Sequence, residues 1–179
     1  DDTGQLSFFE RRKVTELADI YEIEGFSLEE PADWNTLLRR VDVVPPSLAL
    51  AQAANESAWG TSRFAREGNN FYGQWCYTKG CGVVPAARND GAVHEVAGFG
   101  SAKESVKGYM RNLNYHPAYA ELRSIRERLR DRNEPITGLK IAKGLESYSE
   151  RGEAYIEELG SMIRFNDLDE YDASINNRQ

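Results

Sequence analysis

The run "PPSLALAQAANES" ends on one carboxylate, Glu56, and a carboxyl group in that position can do acid chemistry. Ala49, Ala51, Ala53 and Ala54 carry so little side chain that neighbouring elements can approach the helix they would form. Glu56 then falls at the C-terminal end of that helix, where the carbonyls present partial negative charge and disfavour another anion. Partial burial beside Trp59 acts in the same direction, because leaving water penalises the charged form. A carboxyl kept protonated near neutral pH can protonate the leaving oxygen of a glycosidic bond as it breaks. The plainer reading of the same residue is a glutamate at a helix end, exposed and satisfied by water.

The neighbours favour the first reading. "GNNFYGQW" follows within fifteen residues and sets Phe71, Tyr72 and Trp75 among Asn70 and Gln74. Flat aromatic faces stack on the C–H face of a sugar ring, and amides bond its hydroxyls or an N-acetyl group. Ser57 and Trp59, which flank the acid, complete a candidate substrate-binding set of Ser57, Trp59, Asn70, Phe71, Tyr72, Gln74 and Trp75. Taken singly, Phe71 and Tyr72 are equally readable as core residues. Tyr148, just after a predicted helix, is a candidate phenol donor beside the reaction centre, or another core tyrosine. Cys76 and Cys81 enclose four residues, of which Lys79 and Gly80 suit a turn. A redox pair usually encloses two residues, and a zinc site needs more ligands than His94 and His116 supply; a structural disulfide, and with it an oxidising compartment, is the favoured reading.

The elements that must position these groups are mostly helical. With 179 residues the chain is long enough for one compact domain with a real core. Its formal charge of −7 argues against a nucleic-acid partner, which calls for a basic face. No run of eighteen apolar residues offers a membrane span, and the opening "DDTGQLS" is no signal peptide, although a leader or anchor could have been removed. "LSFFERRKVTELADIYEI" places Phe9, Val14, Leu17, Ala18 and Tyr21 on an imperfect helical stripe. "DWNTLLRRV" offers Asp33 as N-cap and Trp34, Leu37 and Leu38 as a buried edge. The Pro-Pro-Ser start of the Glu56 helix is an N-terminal signal, and Leu48, Leu50, Ala51 and Ala54 mark its packed face. Glycine and asparagine interrupt residues 68–98, where "GVVPAAR" and "AVHEVAGF" read as a β-hairpin around "NDG", with Pro85 confining the first strand to an edge. Ser101 and Glu104 form a capping box ahead of Val106, Tyr109, Met110 and Leu113. Further helices follow through Leu122, Ile125 and Leu129, through "ITGLKIAKGLESY", and through Tyr155, Ile156, Leu159, Met162 and Ile163. The charged run "RSIRERLRDR", with its interleaved acids, reads as a solvated helix face. The expected fold is mainly α (α+β): one helical domain with a small β-hairpin lobe, no cofactor and no metal.

At this point the sequence resembles a known family. "NESAWGTSRFAREGNNFYGQW" is similar to the signature of the bacterial peptidoglycan N-acetylglucosaminidases of glycoside hydrolase family 73, the FlgJ-like glucosaminidases. That family pairs a Glu-Ser-x-Trp-Gly segment with Asn-x-Phe-Gly, which here reads Asn70-Phe71-Tyr72-Gly73. "GFGSAKESVKGYMRNL" resembles its aromatic-x-Ser-x-x-Glu-Ser segment, "SYSERGEAYIEELGSMI" its tyrosine segment, and "GQWCYTKGCG" the Bax-type branch. The likeness runs over residues 45–168, which implies a lysozyme-like glucosaminidase domain there, an N-terminal helical extension (1–44) packed on it, and a C-terminal tail (169–179).

The resemblance implies Glu56 as general acid and Tyr148 as the active-site tyrosine, acting on peptidoglycan in a bacterial periplasm or envelope, in a protein taken to be a monomer. The departure lies at the second carboxylate. Family members often carry a glutamate in the first hairpin strand, but "GVVPAAR" holds no acid; Asp90 falls in the turn and Glu95 in the return strand. An inverting enzyme needs its two carboxyl groups about 6.5–9.5 Å apart and a retaining one about 5–5.5 Å, whereas attack by the substrate's own N-acetyl group needs no second acid. Substrate assistance and a distant Glu95 both stay open, as does a Glu95 on the solvent face of its strand. Lytic transglycosylation and a non-catalytic glycan-binding module are the alternatives to hydrolysis.

Overall fold

In a computed structural model of the protein, residues 6–85, 91 and 93–176 are described. Helix α1 (Phe8–Ile20) begins at a complete capping box, in which Ser7 and Glu10 satisfy each other's backbone N–H. Its predicted stripe reaches the interior only through Ala18, and Phe9 is 80% exposed. Helix α2 (Pro31–Arg40) starts three residues earlier than expected, with Pro31 at N1 and Glu30 accepting from the Ala32 N–H. The expected cap, Asp33, instead accepts from the Ser27 N–H, and Leu38, read as buried, is 63% exposed.

Helix α3 (Pro46–Glu56) is the centre of the molecule. It buries Ser47, Leu48, Ala51 and Gln52, and packs on two later helices and on the 3-10 turn Leu168–Asp172. Its first turn is capped from a distance: the buried Asp172 carboxylate accepts from Ser47 N (3.0 Å) and Ser47 Oγ (2.7 Å), and also from Gly138 N (2.9 Å). A side chain at Gly138 would sit 2.1 Å from Ser47 Oγ, so glycine is what lets the two segments touch. Helix α4 (Arg63–Gly68) follows, capped by Ser62.

The β-lobe is small. Strands β1 (Trp75–Cys76), β2 (Gly82–Val83) and β3 (Glu95–Ala97) form an antiparallel sheet in the order β1-β3-β2. The β2–β3 pairing, Gly82 with Ala97 and Val83 with Val96, is the base of the expected hairpin. Its first strand lies at the sheet edge, as Pro85 requires. Strand β1, pairing Trp75 with Val96 and Cys76 with Glu95, was not foreseen. Asn89 and Asp90, the expected turn, lie outside the described residues. A disulfide joins Cys76 and Cys81 across the β1–β2 connection.

Helix α5 (Ala102–Tyr115) has the expected cap at Ser101, but Glu104 closes onto the N–H of Gly100, one residue before the cap. Tyr109 and Leu113 are fully buried and Val106 and Met110 pack against the core, matching the predicted stripe. Helix α6 (Ala120–Asp131) presents Glu127, Arg128, Arg130 and Asp131 to solvent as expected of the arginine-rich run, but departs from that reading at Arg123 and Arg126, which are buried. Arg126 is only 1% exposed: its guanidinium donates to Val43 O (2.6 Å), Asn114 Oδ1 (2.8 Å) and Arg39 O (2.9 Å), and Asp42 supplies the countercharge. Helices α7 (Gly138–Ile141), α8 (Glu153–Phe165) and α9 (Ala173–Asn176) complete a mainly helical fold with a small β-lobe. None of the described helices is long and apolar enough to cross a membrane.

Candidate active site

Helix α3 ends at Glu56 because the next residues cannot continue it. Ser57 turns its hydroxyl inward, donating to Ala53 O (2.6 Å) and accepting from Gly60 N (2.7 Å). Ala58, Trp59 and Gly60 then adopt φ of 50°, 57° and 76°, three left-handed residues in succession. Each of the two non-glycine positions costs about 1–2 kcal/mol in that conformation. The turn leaves Trp59 67% exposed just beyond the acid.

Glu56 is half-buried. Its Oε1 accepts a 2.8 Å hydrogen bond from the Tyr155 hydroxyl, which comes across from α8. Tyr155 in turn accepts from Gln52 Nε2 (2.9 Å), and Gln52 Oε1 accepts from the Tyr109 hydroxyl (2.6 Å). The other oxygen, Oε2, faces Gly73, where an added Cβ would lie 3.6 Å away. Burial pushes the Glu56 carboxyl above the ordinary glutamate range; the Tyr155 hydrogen bond and the Arg151 charge oppose that rise, and the Glu158 charge adds to it. Burial also pushes the Tyr72 phenol up to about 12 and those of Tyr109, Tyr148 and Tyr155 well above their usual range, so every phenol around the acid is neutral and keeps its proton. A half-buried acid among neutral donors is equipped to hold and release a proton.

A family model described as glucosaminidase, mannosyl-glycoprotein endo-beta-N-acetylglucosaminidase, matches residues 32–168. The chain belongs to the glucosaminidase family. The match begins inside α2, earlier than the motif resemblance does. The chain is also similar to the protein named Protein bax of Escherichia coli (strain K12), 38% identical over 163 residues, which are 91% of this chain and 58% of that protein. It therefore spans little more than half the length of that relative. No solved structure matches.

Within the glucosaminidase domain, the predicted site residues fall into three groups. Trp75 and Gln74 line a cleft of about 580 Å³ between the β-lobe and α5, with Tyr77, Tyr115 and His116. Trp75 is 54% exposed and rests on the His94 ring at 4.1 Å between centroids. Ser57, Asn70 and Tyr72 are buried instead. Asn70 donates to Gln74 O and Ala97 O and accepts from Tyr72 N and Gln74 N, bracing the loop that places Gly73 against Glu56. Tyr72 stacks on Tyr109 at 3.9 Å, and Phe71 is half-buried against the same core. Tyr148 donates to Tyr72 O (2.9 Å) and stacks parallel to Tyr155 at 5.7 Å.

Glu95 stands apart in the β-lobe. It is 4% exposed, which overturns the solvent-face reading, and its two oxygens accept from Gly80 N (3.0 Å) and Gly82 N (2.9 Å). Cys76, Cys81 and Glu95 are the only group of three or more acids, cysteines or histidines among the described residues close enough to share an ion, and the two sulfurs are bonded to each other.

Sequence reasoning missed Tyr155, Gln52 and Tyr109, the groups that hold Glu56. Tyr155 and Tyr109 were read as apolar stripe positions, which they also are. Gln52 carried a usable signal: it is an amide next to Ala51 on the packed face of α3, and a buried amide requires partners. Arg151 and Glu158, which pair with each other at 2.6 Å beside Tyr155, carried none.

Proposed function

We propose that this chain is a peptidoglycan hydrolase that cleaves the β-1,4 bond after N-acetylglucosamine, with Glu56 as general acid. The observation that carries the reading is the Glu56 environment: a half-buried carboxyl with one oxygen fixed by Tyr155 and the other turned toward Gly73, in a chain of the glucosaminidase family. Glu56 protonates the leaving oxygen, which departs with the next sugar, while the acetamido oxygen of the N-acetylglucosamine attacks that residue's own anomeric carbon. Water, deprotonated by the resulting Glu56 carboxylate, then opens the cyclic intermediate and leaves a reducing N-acetylglucosamine end. Substrate assistance is favoured over catalysis by Glu95 because that carboxylate already serves the Gly80 and Gly82 amides.

Trp59, Trp75 and Gln74 meet the glycan in this reading, while Ser57, Asn70, Phe71, Tyr72 and Tyr148 act from behind by shaping the loop around Gly73. Residues 45–168 form the working unit, with residues 6–44 packed on it, and it acts as a monomer outside the cytoplasm. The Cys76–Cys81 disulfide supports that location.

The test is digestion of purified cell-wall sacculi followed by mass analysis of the fragments. New reducing N-acetylglucosamine ends are expected. Anhydro-muramic ends would assign lytic transglycosylation instead, and a Glu56→Gln variant with full activity would remove Glu56 from the mechanism. Sugar binding without any cleavage would leave a glycan-binding module.

A further inference from the structure

The three hydrogen bonds behind Glu56 have a direction, and one residue sets it. Tyr155 has a single hydroxyl proton, and it points at Glu56 Oε1 only while Gln52 presents its NH₂ to the Tyr155 oxygen. Were the Gln52 amide turned over, its carbonyl would face Tyr155 and compete with Glu56 for that proton. The amide cannot turn at no cost, because its carbonyl holds the proton of Tyr109. The Tyr109 side chain is fully buried, and its hydroxyl has no other hydrogen-bond partner among the described residues. Reversing the chain would orphan a buried O–H, which is penalised far more than a hydrogen bond is rewarded.

We propose that Tyr109 and Gln52 are positioning residues that fix the direction of donation into Glu56 Oε1, so that the transferable proton of Glu56 resides on Oε2, the oxygen facing Gly73. The inference rests on the reading of Glu56 as the acid, and extends it to groups that never meet the glycan. All members of the chain keep their protons throughout: Tyr109 holds Gln52, Gln52 holds Tyr155, and Tyr155 occupies Oε1, leaving Oε2 as the site for the acidic hydrogen.

The test compares Tyr109→Phe and Gln52→Met with Leu113→Ala, which disturbs the same helix and core without touching the chain. In Tyr109→Phe the amide is free to turn, Tyr155 can donate to it, and the Glu56 carboxylate loses a donor. Two readouts are taken: the NMR titration of the Glu56 carboxyl carbon, and the pH profile of sacculus digestion. Tyr109→Phe is expected to titrate Glu56 at higher pH than the parent, to shift the alkaline limb of the profile upward, and to lose roughly ten- to a hundredfold in rate as the acid is mis-set. Gln52→Met, which removes the competing carbonyl, is expected to titrate Glu56 near the parent. Leu113→Ala is expected to melt earlier with an unmoved titration. Should Tyr109→Phe titrate Glu56 like the parent, the proposal falls, and the same holds if Gln52→Met or Leu113→Ala shifts the titration equally. Because the titration needs no substrate, a parent that digests nothing would overturn the hydrolase reading and leave this test standing.

Discussion

Two regions of this molecule take ionisable groups out of water, and they do it by opposite means. Around Arg126, the charge is met by charge. Burial pushes the Arg126 guanidinium down to about 10, still protonated at neutral pH, with Asp42 opposing the fall. Burial raises the Asp42 carboxyl too, but the Arg130 hydrogen bond and the Arg126 charge outweigh it and hold the group below its ordinary range. Around Glu56, the acid is met by a neutral phenol, the Arg151 and Glu158 charges oppose each other, and burial wins. A buried charge with a matching countercharge serves the fold and gives nothing up. A half-buried acid held by a neutral phenol, with the nearby Arg151 and Glu158 charges acting in opposite directions, keeps a proton that it can surrender.

That contrast can be broken from either side. The largest effect is expected on the structural side: Arg126→Ala removes a buried cation and leaves Val43 O, Asn114 Oδ1 and Arg39 O without their donor, although Asp42 keeps Arg130. It should lower stability by about 3–5 kcal/mol in a denaturant titration. Glu56→Gln should do the reverse. Its reducing-end release from sacculi should fall by roughly 10²–10⁴, while the fold is retained.

The pH dependence of stability separates the two regions further. Glu56 is raised in the folded state, so its contribution is present at low pH and is lost as pH rises through its folded-state titration. Glu56→Gln should therefore melt hotter than the parent above that point and lose the advantage below it. Asp42 is lowered, so its contribution is present above its unfolded value and is lost as pH falls through the folded one. Asp42→Asn should melt earlier than the parent at neutral pH, and the gap should close in acid. Activity of the parent should decline as pH rises through the Glu56 titration, since the deprotonated form cannot donate. The smallest effect is expected at the turn after α3, where Ala58→Gly should gain about 1 kcal/mol by relieving a left-handed alanine, measurable as a higher melting temperature.

Much of this could be read before any coordinates existed. The small-residue helix ending on an acid, the Ser101 cap, the hairpin base and the Cys76–Cys81 bond all follow from local patterns, where the partners are near in sequence or the period is strong. What could not be read depends on which distant groups meet. Arg126 looked like surface because charged residues usually are; its partners Val43 O and Arg39 O are backbone carbonyls more than eighty residues away, which leave no mark in composition. Tyr155 looked like core because a tyrosine ring packs like any apolar group, and only its hydroxyl carries the second role. Asp33 lost the cap because a proline two residues earlier starts the helix sooner.

The left-handed turn at 58–60 also bears on how this surface can change. Trp59 is two-thirds exposed, on a left-handed main-chain path that the Ser57 hydroxyl braces. The backbone there would accept glycine more readily than any side chain, so stability gives tryptophan no advantage. Position 59 is therefore an interchangeable mount: the group it carries can be swapped across evolution or in the laboratory with little risk to the fold. On the proposed reading, what an indole adds at position 59 is an exposed flat face for the glycan.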